Sequence, residues 1–122
     1  MKWVLQRHDA CLWLIKNGTC LEKIEKQIPK KHAEQLPLFY ETLISTSTYN
    51  KLIINAVAVS IGPGSFTGLR VGLGFAKGLA YAKALPIIPV PTLHALAKSS
   101  KFINEYSVLL YSHRDIVYIQ DF

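Results

Sequence analysis

Between Ser60 and Leu85 the chain reads SIGPGSFTGLRVGLGFAKGLAYAKAL, and six of its seven glycines fall in that stretch. Gly64, Gly68, Gly72, Ala76, Ala80 and Ala84 recur at every fourth position. On a helix this spacing makes one row of small residues, a groove along which another backbone can approach closely. Gly74, Gly78 and Ala82 form a second small row beside it, and the bulk is carried by Leu69, Val71, Leu73, Phe75, Leu79 and Tyr81. Four interior glycines (Gly68, Gly72, Gly74, Gly78) cost about 3 to 4 kcal/mol relative to alanine, which tight packing has to offset. The charged residues of the helix are Arg70, Lys77 and Lys83. A helix apolar almost all round is expected to be buried on more than one side. One sheet covers one side; a helix at His32–Ile44 or a second protein covers the other.

The same glycines raise the question of phosphate. GPGSFTG follows a strand-like run and opens a helix, the context in which backbone N–H groups meet an anion. It matches neither GxGxxG nor GxxxxGK[ST], and Pro63 removes one donor from the loop. Helix packing is the first reading of the motif. An actin-like nucleotide-binding phosphotransferase using GPGSFTG as a phosphate loop is the alternative.

The 122 residues suffice for one modest domain, and half of them are apolar, so the chain is globular. Fourteen Lys and Arg against eight Asp and Glu give a net charge of +6. The basic residues are scattered, with one local cluster at KQIPKK, Lys26–Lys31, so charge alone does not single out a nucleic-acid surface. The weakly polar stretch Val71–Ala84 is interrupted by Lys77 and Lys83 and is a poor membrane span. The N-terminal apolar run is too short for a signal peptide, and the expected location is the cytoplasm, away from membranes.

KWVLQ is a short apolar run. ACLWLIK and TCLEKIEK flank Asn17-Gly18, a two-residue hairpin signal. Such a turn sets Lys16 opposite Thr19, Ile15 opposite Cys20 and Cys11 opposite Ile24, so the two thiols are not cross-strand partners. That argues against a disulfide and for a reducing compartment. No CxxC, CxxH or HxxxH spacing is present, and no metal site is expected. Trp3 and Trp13 alternate with apolar neighbours and read as core.

From His32 to Ile44 the apolar residues Leu36, Phe39, Tyr40, Leu43 and Ile44 fall at helical spacing, with Pro37 kinking the helix or in its first turn. LIINAVAVSI, Leu52–Ile61, reads as a buried central strand. Ser65 caps a helix running to Leu85, and PIIPVP, Pro86–Pro91, is a short strand. Thr92 caps a helix to about Lys101, and YSVLLYS and DIVYIQDF are two strands joined by His113-Arg114. The fold class is α/β with a mixed sheet. Ser65 and Thr67 have no His–Asp pair assignable to them, so no catalytic constellation is found. Arg70 and Lys77, seven apart, share a helix face that meets acidic groups or solvent. His94 and the His113–Asp115 turn read as structural.

At GPGSFTGLRVG the sequence resembles the YeaZ/TsaB family of glycoprotease-like proteins. DACLWLIKNGTCLEK, KHAEQLP, LPIIPVPTLHALA and SHRDIVYIQDF resemble further segments of that family, so the likeness covers most of the chain. It implies an actin-like, ribonuclease-H-like lobe over residues 1–105 with a mixed five-stranded sheet flanked by helices, and the start of a second, truncated lobe over 106–122. It implies a non-catalytic scaffold subunit in the formation of N6-threonylcarbamoyladenosine in tRNA, without a cofactor of its own. The implied partners are the homologous catalytic subunit TsaD and the ATPase TsaE, with a homodimer when alone and tRNA met through the complex. The family's first two helices carry the partner contact. Here they place His32, Leu36, Phe39, Tyr40, Leu43, Gly64, Gly68, Arg70, Gly72, Phe75, Ala76 and Lys77 at the interface. The family's Asp-Thr-Ser turn after its first strand is replaced by VLQRHDAC, and the catalytic relatives' metal-binding His pair has no counterpart.

Overall fold

Asn17 at φ 51° and Gly18 at φ 76° supply the two left-handed residues that a tight hairpin turn needs. They join β1 (Asp9–Lys16) to β2 (Thr19–Gln27) as an antiparallel pair. Lys16 opposes Thr19 and Ile15 opposes Cys20, as the turn dictates. A bulge between Leu14 and Ile15 then shifts the register, so Cys11 faces Glu25 rather than Ile24. Cys11 and Cys20 are exposed thiols.

The structure, a computed structural model, describes residues 9–27, 32–46, 54–101, 104–112 and 116–122. The KWVLQ run, Trp3, and the turn at His113 and Asp115 lie outside the described residues. The chain divides into two compact units, Met1–Ile54 and Asn55–Phe122.

In the first unit α1 (His32–Thr46) packs on β1 and β2 and runs through Pro37. Leu36, Phe39 and Leu43 repeat at spacings of three and four and are buried, as is Ala10 of β1. The Lys26 ammonium lies 5.6 Å from the Phe39 ring centroid, so its charge stays above the ring while its stem covers apolar surface. Trp13 departs from expectation. The strand alternation turns Ala10, Leu12 and Leu14 inward and Cys11, Trp13 and Ile15 outward. Trp13 is 49% exposed, with Lys23 5.5 Å from its ring centroid.

In the second unit β3 (Val57–Gly62) and β4 (Ile87–Pro91) pair in parallel, from Val57 opposite Ile87 to Ser60 opposite Val90. Parallel neighbours need a crossover, and α2 (Phe66–Lys83) supplies it, packed on both strands. α3 (Thr92–Ser99) packs on β3, β4 and β5. Thr92 is not its cap: Pro91 occupies that position, and Thr92 Oγ1 lies 2.7 Å from Ser60 Oγ. β5 (Ser107–Tyr111) and β6 (Val117–Asp121) are antiparallel, with Leu109 opposite Ile119.

The mixed α/β class stands. The described strands form three two-stranded ladders rather than one five-stranded sheet. Two of these ladders, β1–β2 and β5–β6, pair strands adjacent in sequence, and β3–β4 is joined through α2. Truncating the buried ring in Phe39→Ala is expected to cost about 3 to 5 kcal/mol in urea denaturation. A loss below about 1 kcal/mol would place Phe39 outside the core.

Candidate functional site

Ser65 has extended dihedrals (φ −60°, ψ 122°), and its hydroxyl accepts from the Gly68 N–H at 3.3 Å, the N-cap the sequence predicts. The Leu69 N–H donates to the Ser65 carbonyl at 2.8 Å. At the far end Ala84 turns left-handed at φ 53° and closes the helix.

The glycine loop ahead of Ser65 is filled from inside. Gly62 sits at φ +98°, and a Cβ built there would lie 3.0 Å from Leu69 Cδ1. A Cβ on Gly64 would lie 3.8 Å from the same side chain. These two glycines make room for a leucine, and the Ser65 cap takes one of the helix's N-terminal donors, the Gly68 N–H.

Along the helix, the close approach predicted for the small row is confined to its C-terminal half. Ala76 and Ala80 are buried, at 3% and 4% exposure, in a helix packed on β3 and β4. A Cβ on Gly72, Gly74 or Gly78 would meet nothing within 4 Å. The expected burial on more than one side is likewise not found. Phe66 is 73% exposed and Tyr81 92%, and Arg70 and Lys77 between them are exposed. At 100° per residue these four share one face, and Gly74 and Gly78 lower its surface alongside. The Arg70 guanidinium lies 5.2 Å from the Phe66 ring centroid, within cation–π range. No acidic residue occurs in α2.

The sequence-predicted interface residues thus divide. Leu36, Phe39 and Leu43 are buried inside the first unit, and Ala76 is buried in the second. Tyr40, Gly64, Gly68, Gly72 and Phe75 are half-buried, while Arg70 and Lys77 are exposed. His32 opens α1, and its side chain lies outside the described residues. Phe66 and Tyr81 were missed as a pair. The available signal was a ring four residues from a cation at each end, Phe66 with Arg70 and Lys77 with Tyr81. His94 reaches Gln120 (Nε2 to Nε2, 3.3 Å) and meets Phe122 edge-on at 5.2 Å. Among the described residues no group of three or more His, Cys, Asp or Glu could hold a metal ion, and no helix is long and apolar enough to cross a membrane.

Residues 22–121 match the family model described as TsaD, tRNA N6-adenosine threonylcarbamoyltransferase. The tRNA threonylcarbamoyladenosine biosynthesis protein TsaB of Escherichia coli is 35% identical over 92 residues, covering 75% of this chain and 40% of that protein. The YeaZ structure from Pseudomonas aeruginosa superposes with a TM-score of 0.76 at 26% identity. The chain belongs to this family, in its TsaB/YeaZ group. A Lactiplantibacillus plantarum protein named tRNA N6-adenosine threonylcarbamoyltransferase is 33% identical over 97 residues, covering 75% of this chain and 28% of its own length. The YeaZ match covers 93% of this chain and 55% of the YeaZ chain, so these residues span about half of that relative.

Two outcomes are expected of the loop. Gly62→Ala forces a Cβ against Leu69 at a left-handed position and is expected to destabilise by about 1 to 3 kcal/mol in chemical denaturation. ATP binding by calorimetry is expected to be no tighter than about millimolar, and a micromolar Kd would restore the phosphate-loop reading.

Proposed function

We propose that this member of the TsaB/YeaZ group is a non-catalytic subunit in the formation of N6-threonylcarbamoyladenosine in tRNA. It binds a homologous TsaD-type catalytic subunit through α1 and α2. The ATPase TsaE joins that assembly, tRNA is met through the complex, and the chain alone forms a homodimer. Residues 1–105 are the actin-like lobe, and 106–122 open a second lobe. The reading rests on the relatives' names for its pathway and on the open face of α2 for its mode of action.

That face suits a protein partner. Phe66 and Tyr81 are large rings held out from the helix, the kind of side chain that anchors interfaces when desolvated. Arg70 and Lys77 complement carboxylates, and the absence of acidic residues from α2 leaves the field of one sign. Gly74 and Gly78 leave the backbone open to a second helix. By the same 100° per residue the half-buried Gly68 and Gly72 lie on the far side of α2 from Phe66, Arg70, Lys77 and Tyr81, beside the buried Ala76 and Ala80.

The test is co-purification with a TsaD-type partner, with affinity read by calorimetry. The double variant Arg70→Glu/Lys77→Glu is expected to weaken binding at least about tenfold while the thermal midpoint stays within a few degrees. Gly74→Leu separates interface from core. Exposed beside that face and with nothing within 4 Å of its Cβ, it is expected to keep or slightly raise stability while lowering partner affinity. Variants that keep full affinity would remove α2 from the interface.

A further inference from the structure

Between α3 and the Tyr106–Phe122 end of the β5–β6 ladder lies a concavity of about 450 Å³, a volume within the range of small-ligand sites. Three rings line it: His94 of α3, Tyr106 ahead of β5 and Phe122 after β6. Each ring is held. The Tyr106 N–H donates to the Phe122 carbonyl at 3.2 Å, and the Phe122 N–H donates to the Tyr106 carbonyl at 2.9 Å. The Tyr106 hydroxyl donates to the Ala97 carbonyl at 3.2 Å and ties that ring to α3. The Tyr106 and Phe122 rings stack at 5.9 Å between centroids, and His94 meets Phe122 edge-on while touching Gln120. Rings fixed before a ligand arrives lose little freedom when it binds.

The polar groups beside the rings are not engaged. Lys98, one helical turn after His94, lines the concavity with Asn104 and Glu105. All three are exposed, and among the described residues none of their side chains makes a hydrogen bond or an ion pair. A matching ligand has a flat body for the rings, an anionic group for the Lys98 ammonium and a donor for the Glu105 carboxylate. A nucleotide carries all three: a base that stacks, a phosphate, and on adenine, cytosine or guanine an exocyclic amino group. Glu105 repels the phosphate and so fixes which way round the nucleotide lies.

We propose that this concavity holds one unpaired nucleotide of the tRNA, so that the chain touches the RNA directly. The base lies against the rings with its amino group on Glu105. Lys98 meets the nucleotide's phosphate, and Lys101, exposed three residues on, meets a neighbouring one. A free mononucleotide brings one stack and one phosphate and binds weakly, whereas RNA adds the flanking phosphates. The inference rests on the tRNA pathway read from the relatives, and it is separate from the α2 contact with a catalytic subunit.

The experiment titrates the 122-residue chain into a labelled tRNA transcript and reads fluorescence anisotropy at several salt concentrations. A duplex RNA of equal length and the four nucleoside monophosphates are the other probes. The tRNA is expected to bind at least about tenfold more tightly than the duplex, which has no unpaired base to stack. The mononucleotides are expected to bind no tighter than about millimolar. Lys98→Glu is expected to weaken tRNA binding at least about tenfold, and Lys98→Gln to flatten the log–log salt slope by about 0.7, the loss of one phosphate contact. Tyr106→Leu is expected to weaken binding by about tenfold, Tyr106→Phe to retain it, and Gly74→Leu on α2 to leave it unchanged. Absence of tRNA binding would overturn the proposal. So would duplex or mononucleotide bound as tightly as tRNA, or tRNA binding indifferent to the Lys98 and Tyr106 substitutions. Site-dependent tRNA binding without co-purification of a TsaD-type subunit would keep this site and remove the α2 reading; the reverse pattern would remove this site alone.

Discussion

α2 can reach the β3–β4 pair because Ala76 and Ala80 are small. A helix seats on a sheet at a distance set by the side chains between them, and two alanines in the buried line permit a close seat. The helix cannot turn about its own axis without lifting one of them out. Ser65 fixes the height at which it starts, and Leu69, tucked beneath Gly62 and Gly64, fixes the chain's exit from β3. The outward direction of Phe66, Arg70, Lys77 and Tyr81 follows from those contacts and needs no further constraint.

Much of this is legible in the sequence where a local rule acts alone. Asn17-Gly18 forces a hairpin, Ser65 accepts the bond of a cap, and the periodicity of Leu36, Phe39 and Leu43 marks the inner face of α1. Readings that needed tertiary context were lost. The bulge at Leu14/Ile15 leaves no compositional mark, yet it moves Cys11 from Ile24 to Glu25. Trp13 is apolar enough for a core, but its strand parity turns it outward. The small row on α2 signals close packing somewhere, and only coordinates show that Ala76 and Ala80 are packed while Gly72 is not. The rings at Phe66 and Tyr81 look like core residues because hydrophobicity alone does not tell a buried ring from a presented one.

The glycine loop shows how one motif can serve two physical ends. Glycine lets a backbone approach either an anion or a side chain, and the two uses look alike in sequence. Here the space belongs to Leu69, so the loop is a packing device that sets the start of α2. Such a loop suits the proposed accessory role, in which the chain presents shape and charge to a partner and leaves the chemistry to it.

The pairing pattern also governs the order in which the chain can assemble. β1 and β2 are joined by two residues, so their ladder closes locally, on the timescale of about 1 to 10 μs typical of hairpins. β3 and β4 are separated by the whole of α2, and their parallel ladder gains nothing until that crossover has been closed and its entropy lost. A nascent chain therefore acquires its first unit from local contacts, while β3 waits, an apolar strand without a neighbour, until Ile87–Pro91 has been made. The helix between them shortens that wait by drawing its ends together, and the four glycines it carries slow the step by lowering its helicity in isolation.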